Sequence, residues 1–332
     1  MGREYRLQGD SRLREESDRR PARIPAPVST EFLNLELESD AAIVGIDVGE
    51  NFLDLASIAP ERRELRYARV ALDQICGADS VAALADLLVD RIPELRADAV
   101  AIVDSPRCPI DTDCSQSHFA PRENPPARRA IDSGLRAMVN RLNENPARAR
   151  KTQLWLFPTP PTRYFTECVL HPACKPHLRS MGEQMFRPLE SPAQIPARLT
   201  GGALFTRFMI AGFAVYQALA LIGVHAYEGY PYLDFKLWMA RDDELPAKKK
   251  TSSAYATALE ARRRILHRIT LPAKFKMAPP ATYDQADAAI LATTVAAASR
   301  DGSIFQIRDR AEGRFIVALD RTDAAYLRST RT

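Results

Sequence analysis

Cysteine is scarce in this chain, and the few residues present are not paired in a framework. Five Cys among 332 residues is an odd and small number, which excludes a disulfide-stapled secreted scaffold and favours a reducing, cytoplasmic setting. Lysine is scarcer still for a protein of this charge. Only eight of the 46 cationic residues are Lys, beginning at Lys151, and the rest are Arg. With abundant Ala, that skew fits a GC-rich genome better than a function. No apolar stretch precedes a cleavage site near the N-terminus, so a secretory signal is not expected. A single long apolar run occurs, Phe208 to Val224. It falls at the short limit of about 17–25 residues for a spanning helix and contains Gln217. The expectation is a buried helix running into a strand, with no membrane partner. The dinucleotide fingerprint GxGxxG is missing too, which removes a Rossmann oxidoreductase.

The remaining composition is ordinary. Hydrophobic residues make up 46% and charged residues 27%, with a net charge of +4, a balance that suits a folded domain and names no partner. Residues 1–39 read as a disordered leader of mixed charge, residues 40–325 as one domain, and 326–332 as a tail.

Within the domain, AAIVGIDVG and ENFLDLASIA (41–59) form a hairpin pattern, and ELRYARVAL (64–72) adds a third, alternating strand. SVAALADLLVDRIPEL (80–95) has the spacing of an amphipathic helix with Ser80 as its N-cap. AVAIVDSP (99–106) is a continuous apolar run, the pattern of a strand buried on both faces. A stretch rich in Pro and Arg follows over about 107–200 and reads as an insertion, broken by a helix at 127–143. Then come a helix at 203–222, a strand at 224–231 followed by a linker, helices at 253–269 and 282–300, and two closing edge strands, SIFQIRD and GRFIVAL.

Several carboxylates fall where folding does not ask for them. Asp47 interrupts the apolar run GIDVG, Asp104 ends AIVDSP, and Glu228 ends HAYEGYP. Asp284 and Asp287 are three apart on the last long helix, hence on one face. A charge buried in such places is costly unless it is paired or bound to metal. Hard divalent cations take oxygen ligands of this kind, and a bound cation supports phosphodiester hydrolysis. Each acid also has an ordinary reading, as a turn former or as a first-turn acid that favours the helix dipole. The pattern gains weight from its order along β-β-β-α-β…β…α.

That order, with acids on the first strand, the fourth strand and a late helix, resembles the ribonuclease H-like fold. GIDVGENFLDLA, AIVDSPRCP, RRAIDSGLR, LFPTPPTRYF, AYEGYP, YDQADAAILA and EGRFIVAL together resemble the family called domain of unknown function four-two-nine, described as ribonuclease H-like nucleases. The resemblance spans roughly residues 41–320. It implies an α/β fold with a mixed five-stranded sheet, its first three strands antiparallel, flanked by helices and carrying a large insertion. It further implies Asp47, Asp104, Glu228 and Asp287 as catalytic acids. The expected metal set is Asp47, Asp104, Asp287 and Asp284, binding Mg²⁺ or Mn²⁺, with nucleic acid as the expected partner.

Competing patterns are weaker. GIDVG also resembles the first phosphate loop of actin-like ATPases, but the second such hairpin is missing. Cys168, His171, Cys174 and His177, with Cys108, Cys114 and His118 upstream, lack the CxxC spacing of a structural zinc. The segment 121–151 carries eight cations against three acids. Arg129 and Arg136 there, with Arg107 just after Asp104, are the candidate grips on a phosphate backbone. A solvated helix face explains the same charges. A non-catalytic ribonuclease H-like binding module is the alternative function, and the oligomeric state is left open by the sequence.

Overall fold

A computed structural model describes residues 33–37, 41–49, 52–59, 64–72, 80–105, 129–147, 203–240, 243–246, 252–269, 271, 276–300, 302–309 and 313–330. Its frame is a mixed sheet with helices on both faces. The strands are β1 (Leu33–Asn34), β2 (Ile43–Val48), β3 (Phe52–Ile58), β4 (Glu64–Ala71), β5 (Val100–Asp104), β6 (His225–Glu228), β7 (Lys276–Met277), β8 (Ile304–Asp309) and β9 (Gly313–Ala318). Seven helices are described: α1 (Ser80–Arg91), α2 (Arg129–Glu144), α3 (Ala203–Leu221), α4 (Pro231–Trp238), α5 (Ser252–Arg268), α6 (Tyr283–Ser299) and α7 (Arg321–Ser329).

The sheet order is β1-β8-β9-β6-β5-β2-β3-β4-β7. β2, β3 and β4 form the antiparallel meander that their alternation indicates, and β5 lies beside β2 and parallel to it. β6 is parallel to β5, and β9 to β6. The α/β class with a mixed sheet is therefore as expected, but among the described residues the sheet has nine strands rather than five. The first described strand is also not part of the meander, since β1 pairs with β8.

Strands β8 and β9 were expected at an edge and lie inside the sheet, between β1 and β6. Their side chains explain this. Phe305 and Ile307 are buried with Phe315 and Val317 on one face, while Ile304, Ile316 and Ala318 are buried on the other. Strands apolar on both sides need cover on both sides. Two further boundaries move for the same reason. Leu35 and Leu37, within the expected leader, pack against the core, and Leu327, within the expected tail, is buried on α7.

Helix α6 explains most of the packing. Thr282 caps it by accepting from the Gln285 backbone N–H at 3.1 Å, and the Gln285 side chain returns to the Ala281 N–H at 2.8 Å, a reciprocal cap that fixes the first turn. Its small side chains let it lie against β2 and β3. At the closest approach only glycine fits, because a Cβ on Gly45 would sit 2.0 Å from the Ala288 carbonyl oxygen. With α5, α6 covers one face of the sheet. The other face is covered by α1 and α3 over β2–β5 and by α2 and α7 over β8 and β9. α4 bridges the two, with Phe235 in the α6 core and Leu233 and Leu237 in the opposite one. No helix among the described residues is long and apolar enough to cross a membrane.

Candidate functional site

Strand register builds the site. Asp104 on β5 is the direct neighbour of Asp47 on β2, Asp47 of Asp54 on β3, and Asp54 of Arg69 on β4. Side chains alternate between faces along a strand. Val44, Ile46 and Val103 belong to the core under α1 and α3, while Ile43, Val100 and Ile102 belong to the core under α6. Asp47 and Asp104 therefore share the α6 face, at the carboxyl ends of two parallel strands. That end is where open α/β sheets bind ligands. Three carboxylates in one cross-strand row are mutually unfavourable.

Arg69 relieves one end of the row. It donates from Nε to Asp54 at 3.0 Å and from Nη2 at 2.7 Å, a bidentate, charge-assisted fork. That bond also raises the Arg69 pKa above its ordinary value. Arg69 lies 5.1 Å over the Phe52 ring and 4.0 Å from the half-exposed Asp284 carboxylate. Asp54 was not among the residues singled out from the sequence. Its signal was of the same kind as that of Asp47, an acid inside an apolar strand, FLDLASI.

Asp287 projects from α6 and is buried with Arg262, whose Nε is 3.4 Å from its Oδ1. Arg262 also donates to the carbonyls of Pro246 and Ala258, and its guanidinium lies 5.4 Å from the Phe235 ring and 5.1 Å from that of Tyr283. Glu228, 1% exposed, is the register partner of Val103, so it falls on the face opposite Asp104. Of the expected acids, the structure sets Asp47 and Asp104 side by side, gives Asp287 an arginine, turns Asp284 toward Arg69 and places Glu228 on the other face.

A carboxylate that sequence reasoning passed over completes the picture. Asp234 on α4 is 4% exposed. Its pKa is pushed well above the usual carboxylate range, first by burial and then by the negative charge of Asp104. Among the described residues none donates a hydrogen bond to its carboxylate. Position in the first turn of a helix returns about 0.3–1 kcal/mol through the helix dipole, against several kcal/mol for burying a charge. The only sequence signal is an acid within the apolar PYLDF.

No family model, no curated protein and no solved structure matches the chain. Among the described residues, no group of three or more His, Cys, Asp or Glu is placed to hold a metal ion. A magnesium-like cation needs only one or two protein carboxylates, with water and substrate oxygens supplying the rest. Asp47 and Asp104 bring two carboxyl groups into adjacent register.

Two of the three expected phosphate grips fall on a described helix. Arg129 and Arg136 are on α2, which packs against β8 and α7 on the face opposite the acid row. Arg107, together with Cys108, Cys114, His118, Cys168, His171, Cys174 and His177, lies outside the described residues.

Proposed function

We propose that this protein is a metal-dependent phosphodiesterase acting on nucleic acid, built on a ribonuclease H-like sheet and akin to the family its motifs resemble. The observation that carries the reading is the cross-strand pair Asp47–Asp104, two acids on one face at the carboxyl ends of adjacent parallel strands. An antiparallel meander whose first strand continues in parallel into β5 and β6 supports the ribonuclease H-like assignment. Asp47 and Asp104 would hold Mg²⁺ or Mn²⁺. Such an ion polarises a phosphoryl oxygen and lowers the pKa of bound water. The second reading, a non-catalytic binding module of the same fold, is favoured by the arginines that neutralise Asp54 and Asp287.

Thermal melts with and without Mn²⁺ separate the two. Metal at a hundredfold excess over Kd should stabilise the wild type by about 2.7 kcal/mol. Asp47→Asn should abolish most of that gain and any hydrolysis of a nucleic-acid substrate, while its metal-free stability stays equal or rises. A wild type indifferent to Mn²⁺, with a destabilised Asp47→Asn, would overturn the enzymatic reading.

A further inference from the structure

Every residue of β3 is buried except its first. Phe52 is 43% exposed, and its cross-strand partner on β4 is Ala71, too small to cover a phenyl ring. Leu53 and Leu55 enter the core under α1 and α3, while Ala56 and Ile58 enter the core under α6. By alternation, Phe52 and Asp54 share the α6 face with Asp47 and Asp104. Phe52 stands two residues beyond Asp54, about 7 Å along the strand, at the same end of the sheet. Its backbone is fixed by a tight turn. The Gly49 N–H donates to the Phe52 carbonyl at 2.9 Å, and a Cβ on Gly49 would lie 2.8 Å from that oxygen.

A single exposed apolar residue is ordinary on a protein surface. The company of Phe52 sets it apart. The Arg69 guanidinium lies 5.1 Å from the ring centroid, and the same group is forked to Asp54 at 3.0 and 2.7 Å. The arginine that settles one end of the acid row therefore also steadies the ring, by attraction to its π-face. A ring already held in place loses little freedom when a second flat group packs on it. Nucleobases are such groups, and every base presents a π-face, so stacking tolerates any sequence. Bases paired within a duplex are covered by their neighbours, whereas unpaired bases are open to stacking. A phosphate bound at the acid row would leave its own base within reach of Phe52.

We propose that Phe52 is a stacking platform for an unpaired base of a single-stranded nucleic acid, beside the phosphate site at Asp47 and Asp104. This rests on the phosphodiesterase reading and adds to it a strandedness that the acids alone do not decide.

Fluorescence anisotropy of an end-labelled single-stranded oligothymidylate, titrated with the full-length chain in Mn²⁺ and again in EDTA, tests this. Phe52→Ala should weaken binding by at least about fivefold. Phe52→Leu keeps apolar bulk without a π-face and should lose nearly as much. Phe52→Trp should bind at least as tightly as the wild type. The same strand annealed to its complement should bind the wild type and Phe52→Ala alike. Leu221→Ala, at a residue 64% exposed at the end of α3, should change nothing. Wild-type affinity in both Phe52→Ala and Phe52→Leu would overturn the platform, and so would equal losses on single strand and duplex. Affinity lost in Phe52→Ala but kept in Phe52→Leu would reduce the ring to apolar bulk and overturn stacking. A wild type that binds no oligonucleotide yet is stabilised by Mn²⁺ would overturn this inference alone and leave the acid pair standing. A wild type that does neither would remove the phosphodiesterase reading with it.

Discussion

Asp287 on α6 and Asp234 on α4 are buried to a similar degree, 6% and 4% exposed, yet they meet opposite company. Asp287 faces the guanidinium of Arg262, which is held by two carbonyls and two aromatic rings. Asp234 faces the carboxylate of Asp104. One of those rings is Phe235, the residue next to Asp234, so the arginine passes over α4 and serves the other acid. The acid row is divided in the same way, with Arg69 on Asp54 at one end and Asp104 with Asp234 at the other. Buried charge on this sheet is thus balanced by the chain itself on one side. On the other side, burial and the charge of Asp104 raise the Asp234 pKa, so that its carboxyl holds its proton more tightly. The comparison separates an acid neutralised by an arginine from an acid whose proton is held by burial, a distinction the degree of burial alone does not make.

The strongest way to break the comparison is to remove the arginine from the balanced side. Arg262→Met should destabilise the protein by about 3–5 kcal/mol, because it leaves Asp287 buried without a countercharge. Urea denaturation measures the loss. The double variant Arg262→Met with Asp287→Leu should recover much of it, as replacing a whole buried pair by apolar groups often does. A single-variant loss under 1 kcal/mol would mean that Asp287 does not depend on this partner. A milder break is Arg69→Met. It strands Asp54 without its fork, and a lost partner of a buried group costs about 1–3 kcal/mol. The lower part of that range is expected, because the Arg69 side chain is 39% exposed and water can partly replace it.

Much of this arrangement could be read from the sequence, and the rest was hidden for physical reasons. The meander, α1 and β5 were legible because their burial follows a simple period or a continuous apolar run. α6 was legible as the long helical run TYDQADAAILATTVAAASR at 282–300. α4 was not. It has eight residues, starts at a proline directly after a strand, and buries side chains in two cores, so no one-sided period marks it. α7 and β1 are short and sit in segments whose polarity suggested tails. Asp47 and Asp104 stood out as acids in apolar strands, and Asp54 carried the same signal without the strand-end position that drew attention to them. The arginine partners were out of reach. Arg69 meets Asp54 only through the register of β3 with β4, and Arg262 meets Asp287 across 25 residues of chain. Which acids are free for chemistry depends on those pairings, so the candidate acids could be gathered from sequence but not sorted.

The gentlest way to sharpen the comparison is to titrate the unbalanced side. The folded-state pKa of Asp234 lies well above the usual carboxylate range, through burial and then Asp104, whereas an unfolded Asp titrates near about 3.9. A raised carboxyl pKa means that the folded chain holds the proton more tightly than the unfolded chain. The corresponding stability is therefore fully present below the unfolded pKa and is lost as pH rises through the folded one. Asp234→Asn has no such proton to lose. In EDTA, wild-type stability measured relative to this variant should fall from acid toward neutral pH, with a slope of at most about 1.4 kcal/mol per pH unit for a single proton. Asp54 and Asp287 keep their arginines in both proteins and cancel from the difference. Urea melts across pH 4 to 8 measure this directly. A difference that does not change with pH would place the strain of this acidic face on another residue.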